Sequence, residues 1–469
     1  MNLFRAISTN DEVTENGMPT NSTSSNFVLD MFFKMGGSRG MNDKEIISMF
    51  SRAMSENPLL ATKALFYNRD VRGGQGERRS FRVMFNYLST IFPDIAKKLL
   101  VFVPEYGRWD DLFTTLGTPV WSETTDLILS ALKNGDKLCA KWMPRENKKF
   151  KDIADILMED WELSPKQYRK LISGNTQVVE NLMCSNKWGK VNYNHVPSKA
   201  VNQYRNAFSR HDPERFVAWL ESLKKPESGN KIHAGAIFPH DIVKKYINGG
   251  RQDEVLETQW KAQPNYLPEG RRILPVCDVS GSMSTGDGLP MEVCISLGIY
   301  LAERNVGPFK DGFITFSNRP ELQILSGKTL HSRVSQLHRA HWEMNTNLES
   351  VFSLILGRAI QFKLPEEDMP TDILILSDMQ FDQAMRNPAD SVIRMIRSDY
   401  LTAGYEIPNV IFWNLRTSNG IPVKFDEKGT ALVSGFSPSI MKSLLGGELT
   451  PEFMMLKVLN SERYSKILI

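Results

Sequence analysis

The chain has 469 residues, 41% of them hydrophobic and 24% charged, which is enough for two or three globular domains with cores of their own, and its formal net charge of +3 by itself says nothing about partners. Cys139, Cys184, Cys277 and Cys294 show neither C-x-x-C pairing nor zinc spacing, no stretch approaches the roughly 18 apolar residues of a membrane span, and Met1–Arg5 lacks an apolar leader segment. These features exclude a disulfide framework, a zinc module and a membrane anchor, and they point to a soluble cytoplasmic protein with reduced thiols.

Residues 1–25 are polar, rich in Thr, Asn and Ser, and are expected to form a mobile tail. Residues 26–270 are expected to form an α-helical domain. Asn42 and Glu45 have the spacing of a capping box ahead of Ile46, Phe50 and Met54, which share one helix face. Ser164-Pro165 and Asp212-Pro213 each place a cap residue before a proline at the first helical position. Many helices of this kind joined by short turns imply stacked antiparallel pairs, a HEAT-like repeat array, although no strict sequence period is present.

Within this half, Asn68–Arg79 leads through Gly73, Gly74 and Gly76 into a helix whose Phe81, Met84, Phe85 and Leu88 fall on one inward face. Arg78, Arg79 and Arg82 fall on the neighbouring face, with Arg69 and Arg72 just before them. Five arginines around a glycine turn can serve as a phosphate-contact surface for RNA. They can equally pair with Asp70, Glu77 or helix carboxyl ends around an ordinary turn. Lys141–Lys149 and Lys187–Lys199 mix basic and aromatic residues; Trp142 and Trp188 there can either stack bases or anchor the core. Split near residue 272, the chain carries 39 Lys+Arg against 32 Asp+Glu in front and 18 against 22 behind. A polyanion would therefore prefer the front, though solvated helix faces explain so modest an excess as well.

Past residue 271 the period changes. Apolar runs at Ile273–Cys277, Gly312–Phe316, Asp372–Ser377 and Asn409–Trp413 alternate with helical stretches near 290–304, 347–361, 385–398 and 437–445. Buried strands separated by helices imply a doubly wound parallel sheet spanning residues 271–469, whose ligands bind beyond the strand carboxyl ends. There Asp278-Val279-Ser280-Gly281-Ser282 points three hard oxygen groups one way. Thr346, after Asn345, stands just before a helix, and Asp378 follows the strand ending at Ser377. Five oxygen groups from three loops suit an octahedral Mg²⁺ or Mn²⁺, with one position open to water or to a partner's carboxylate. Asp382 is either an outer acceptor of this site or a solvated loop charge. The alternative is a fold that keeps these loops without holding metal. No general base, phosphate clamp or catalytic motif accompanies them, and His331, His338 and His341 have the spacing of a polar helix face, so no enzymatic reaction is expected.

The D-x-S-x-S run with its Thr and second Asp resembles the metal-ion-dependent adhesion site of a von Willebrand factor A domain. Arg69–Arg78 and Pro104–Leu112 ahead of it resemble the Ro ribonucleoprotein family, in which a TROVE module precedes a von Willebrand A domain. The likeness covers about residues 27–445 and is nearer to the Ro-like branch of plants, fungi and viruses, through Val191–Ala200 and Lys231–His240; a viral source is open. The resemblance implies a multidomain α and α/β fold: a ring of helical repeats closed by the von Willebrand A domain. It further implies binding of small noncoding RNAs and misfolded RNA ends at a basic surface. Carried onto this chain, Asp278, Ser280, Ser282, Thr346 and Asp378 would hold the metal, and Arg69, Arg72, Arg78, Arg79 and Arg82 would contact RNA. The front is less basic than in the animal proteins. Two readings follow, an RNA-binding ring protein acting as a monomer, and a metal-dependent adaptor whose protein partner donates a carboxylate to the ion.

Overall fold

A computed structural model describes residues 12–146, 150–176, 178–284, 288–316, 320–339, 346–382, 392–416, 420–444 and 449–469. From Phe27–Met35 to Glu254–Lys261 the chain is helical. Asn42 and Glu45 cap the Asp43–Glu56 helix reciprocally, each side chain accepting from the other's N–H at 3.0 and 2.9 Å, and Ile46, Phe50 and Met54 are buried below. Ser164 and Gln167 do the same for Pro165–Asn175. Asp212 departs from the expectation. Its carboxylate accepts from Tyr193 Oη at 2.8 Å and Arg215 at 2.9 Å and caps no N–H of Pro213–Ser222.

Neighbouring helices pack on one another, Phe27–Met35 on Asp43–Glu56, and that helix on Pro58–Arg69 and Arg79–Ile91. In Arg79–Ile91 the buried side is Phe81, Met84, Phe85 and Leu88, and burying each contributes about 1.5–3 kcal/mol. That burial decides which face is left for the arginines.

The second region is a mixed six-stranded sheet. The strands are β3 (Ile273–Cys277), β4 (Gly312–Thr315), β5 (Glu321–Ile324), β6 (Asp372–Ser377), β7 (Asn409–Asn414) and β8 (Thr430–Ser434). Their order is β5-β4-β3-β6-β7-β8, all parallel except β5, which runs antiparallel on β4. An all-parallel sheet was expected. The link from β4 to β5 is too short for a crossover, so the chain can only return antiparallel. Helix Leu289–Arg304 is buried on all sides from Leu289 to Ala302, because it lies between the sheet and the Pro239–Ile247 helix.

The two regions share a core. One hydrophobic cluster runs from Met18 and Val28 to Ile467, and a second, smaller one gathers around Tyr193, Val201, Phe208, Phe216 and Trp219. Helix Phe27–Met35 lies against β8, and a Cβ on Gly36 would come 2.3 Å from the Gly435 nitrogen, so glycine is required for that approach. Residues 12–25 are not a free tail. Two short strands, β1 (Glu12–Val13) and β2 (Pro19–Thr20), pair antiparallel, and Thr14 is buried with its hydroxyl donating to the Phe381 carbonyl at 2.6 Å. Asn21 and Ile421 exchange backbone hydrogen bonds of 3.1 and 2.7 Å. Polar side chains in this segment find fixed partners on the sheet region, which a composition-based reading cannot see.

Among the described residues, no helix is long and apolar enough to cross a membrane.

Candidate functional site

Strands β3 and β6 are in register, Cys277 opposite Leu376, so the residues that follow them emerge side by side at one sheet edge. Asp278 keeps the ladder with its N–H on the Leu376 carbonyl at 2.9 Å, and its carboxylate accepts from Ser377 Oγ at 2.6 Å and from the Ser280 N–H at 3.0 Å. Ser280 Oγ and Ser282 Oγ are 3.0 Å apart, and Ser282 hydrogen-bonds Asp378. Four of the five predicted cation ligands thus form one connected group. Thr346 is tied to the residues after Asp378 and not to the four themselves: its hydroxyl donates to the Gln380 carbonyl at 2.6 Å and stands 3.4 Å from Asp382. Asn345 and His341 lie outside the described residues. Met379, between Asp378 and Gln380, has φ +67°, a conformation costly for a non-glycine residue.

Asp278 and Asp378 are both buried, and both are held above the usual carboxylate range, first by loss of solvent. The Asp378 charge adds to the effect on Asp278; hydrogen bonds from Ser377 and Ser280 oppose it. On Asp378 the Ser282 bond, the Gln380 N–H and the Arg416 charge oppose the rise, while Glu15 adds to it. Two buried carboxylates beside hydroxyls are a hard-oxygen set that fits Mg²⁺ or Mn²⁺, although the buried Cys294 thiol lies on the backbone of Asp278 behind them. Among the described residues there is no group of three His, Cys, Asp or Glu side chains placed to hold a metal, so any cation here depends on the hydroxyls.

Several neighbours were not anticipated. Ser377 could have been found by aligning the two strand ends. Arg416, whose Nη1 donates to the Ser282 carbonyl at 3.0 Å, and the Thr14–Gly17 segment carry no sequence signal. Asp382 is half-buried: its N–H donates to the Thr346 carbonyl at 3.0 Å, its carboxyl accepts from Thr346 and Asn16, and loss of solvent raises it.

The arginines divide. Arg69 is 2% exposed, with Nε and Nη2 each 2.7 Å from Asp111 Oδ2, so it is an internal ion pair and not a surface contact. Arg82 is largely spent likewise, Nε on Asp111 Oδ1 at 2.7 Å and Nη2 on Asp110 at 3.0 Å. Arg72, Arg78 and Arg79 are exposed. Arg72 donates to the Glu105 carbonyl at 3.1 Å, Arg78 lies 3.9 Å from Asp110, and Arg79 pairs with Asp43. Arg78, Arg79 and Arg82 line an open recess of about 490 Å³. Asp70 turns inward to Arg463, at 2.6 Å, and to Tyr464 Oη, at 2.9 Å; Gln75 Nε2 donates to Ser434 Oγ at 2.8 Å. The glycine turn is thus a joint between the regions: a Cβ on Gly74 would sit 2.0 Å from the Tyr67 carbonyl oxygen. Trp142 lies under the Arg108 guanidinium at 4.4 Å and Trp188 stacks on His211 at 4.5 Å, each against a core cluster, which favours the anchoring role for both.

A helical array sharing its core with a mixed sheet is a Ro-like architecture. The fold is similar to that of the Deinococcus radiodurans RO (RSR) protein, with a TM-score of 0.50 at 14% identity over 93% of this chain and 99% of that one. Residues 14–113 and 161–267 match the family described as Domain of unknown function (DUF2828), and residues 272–464 match Domain of unknown function (DUF7788). The chain belongs to the family of Uncharacterized protein L728 of Acanthamoeba polyphaga mimivirus. The two are 31% identical over 502 aligned residues, covering 95% of this chain and 86% of that protein.

Proposed function

We propose that this is a Ro-like RNA-binding protein that takes small noncoding or misfolded RNA on its helical region, with a von Willebrand A domain that binds Mg²⁺ or Mn²⁺ and closes the array or recruits partners. The observation that carries the reading is the Ro-like architecture over nearly the whole chain. Its RNA surface is assigned to Arg72, Arg78 and Arg79, since Arg69 and Arg82 are consumed by Asp110 and Asp111. Asp278, Ser280, Ser282, Thr346 and Asp378 would hold the ion, which when bound would offer a positive point for a carboxylate. The internal pairing of two of the five arginines favours a second reading, the metal-dependent protein adaptor without an RNA role.

The test is purification under mild salt and sequencing of any co-purifying nucleic acid, beside an Arg72→Ala/Arg78→Ala/Arg79→Ala variant. Enriched RNA, lost in the variant, supports the proposal. With single-stranded RNA the logarithmic salt slope should shrink by about 2 if three phosphate contacts are lost. The absence of both retained RNA and salt-sensitive binding would overturn the proposal and leave the adaptor reading standing.

A further inference from the structure

The β1–β2 hairpin is too small to hold a shape alone, since an isolated two-stranded hairpin is marginal at best in water. Its position is set by the loops of the candidate cation site. Four consecutive residues engage them: Thr14 Oγ1 donates to the Phe381 carbonyl at 2.6 Å, the Glu15 N–H to Gln380 Oε1 at 2.7 Å, and Asn16 Nδ2 to the Gln380 carbonyl at 2.7 Å and to Thr346 Oγ1 at 3.2 Å, while Gly17 bridges to Asp382. The segment touches both the Thr346 loop and the Asp378 loop, and β2 continues onto the loop after β7, where Thr20 lies against Gly420 and Asn21 pairs with Ile421.

We propose that this hairpin is a built-in occupant of the cation site, with Glu15 supplying from within the chain the carboxylate that a partner would otherwise donate. The inference rests on the cation reading of the Asp278 and Asp378 loops. Thr346 Oγ1 directs its proton to the Gln380 carbonyl at 2.6 Å, with Asp382 at 3.4 Å, and accepts once, from Asn16, so one of its two lone pairs remains for an ion. Five protein oxygens leave one position of an octahedral ion to fill. Glu15, between two residues fixed to the site, is exposed, and its charge acts on Asp378. An outside carboxylate would then have to displace the hairpin, which makes partner binding conditional on its release.

The test titrates the full chain with MgCl₂ and MnCl₂ by calorimetry, in the wild type, Glu15→Gln and Asp278→Ala, and follows amide hydrogen exchange across residues 12–17. Glu15 is exposed and the amide is isosteric, so Glu15→Gln should keep the wild-type circular dichroism. The expected result is metal affinity about tenfold weaker in Glu15→Gln, and metal-slowed exchange in residues 12–17 that the variant loses. Wild-type affinity in Glu15→Gln with no metal effect on exchange overturns the inference and leaves the cation site standing. No metal binding by the wild type overturns both.

Discussion

Replacing Asp111 with Ala should be among the most damaging single changes in the helical region. The carboxylate is fully buried and takes four contacts, two from Arg69 at 2.7 Å, one from Arg82 at 2.7 Å and one from the Arg108 N–H at 3.0 Å. Arg82 is 30% exposed and keeps Asp110, so it loses little. Arg69, at 2% exposure, would keep its charge with neither partner nor water, the situation that costs about 3–5 kcal/mol when one side of a buried pair is removed. Urea unfolding followed by far-ultraviolet circular dichroism measures it, with Arg78→Ala as a surface control expected to stay within about 0.5 kcal/mol. Arg69→Ala should also destabilise the fold while leaving the salt slope of RNA binding unchanged, because Arg69 reaches no surface. A loss below about 1 kcal/mol in Asp111→Ala would refute the argument, by showing that the guanidinium finds water or another acceptor at little cost.

His240 is buried, and loss of solvent first, then the charges of Arg39, Lys199 and Lys244, holds its ring down at about 4 against an ordinary 6.5, with Asp241 opposing. The folded state therefore refuses a proton that the unfolded chain accepts, so His240 contributes a loss of stability of about 1.4 kcal/mol as pH drops from 7.5 to 5.5, opposed in the same window by the raised Asp278 carboxyl; it is read as the difference in pH slope between the wild type and His240→Gln, and an unchanged slope in the variant would refute it. Gly74→Ala puts a methyl group against the Tyr67 carbonyl and should cost about 1–3 kcal/mol in the same urea assay, with a wild-type midpoint as the contrary result. If the cation site is real, Mg²⁺ at a hundred times its dissociation constant should stabilise the wild type by about 2.7 kcal/mol, reversed by chelator and absent in Asp278→Asn; equal melting curves with and without Mg²⁺ would count against it.

The parts of the fold legible in the sequence are those where burial writes a period. The runs at Ile273, Gly312, Asp372 and Asn409 became β3, β4, β6 and β7 because a strand covered on both faces needs an unbroken apolar stretch. β8 offers only Ala431, Leu432 and Val433 between polar ends, and β5 alternates as an edge strand does, with Leu322 and Ile324 exposed, so neither gave a run to find. The hairpin was illegible for a stricter reason. Two-residue strands have no period at all, and their order comes from partners more than 300 residues away.

The two kinds of site differ in what a sequence can carry. The carboxylate and hydroxyl loops were found because strand ends in a parallel sheet fall at one edge, so chain position predicts proximity. Counting arginines predicts no such thing, since whether a guanidinium faces water depends on which carboxylate the fold brings to it. Here the answer lay in the second segment that carries the family resemblance. Asp110 and Asp111 of Pro104–Leu112 are the partners of Arg69 and Arg82, and the two motifs close on each other across one helix pair. Those two arginines are accounted for by the fold alone, and the case for RNA rests on the three the network leaves exposed, which is why the variant that tests it omits the other two.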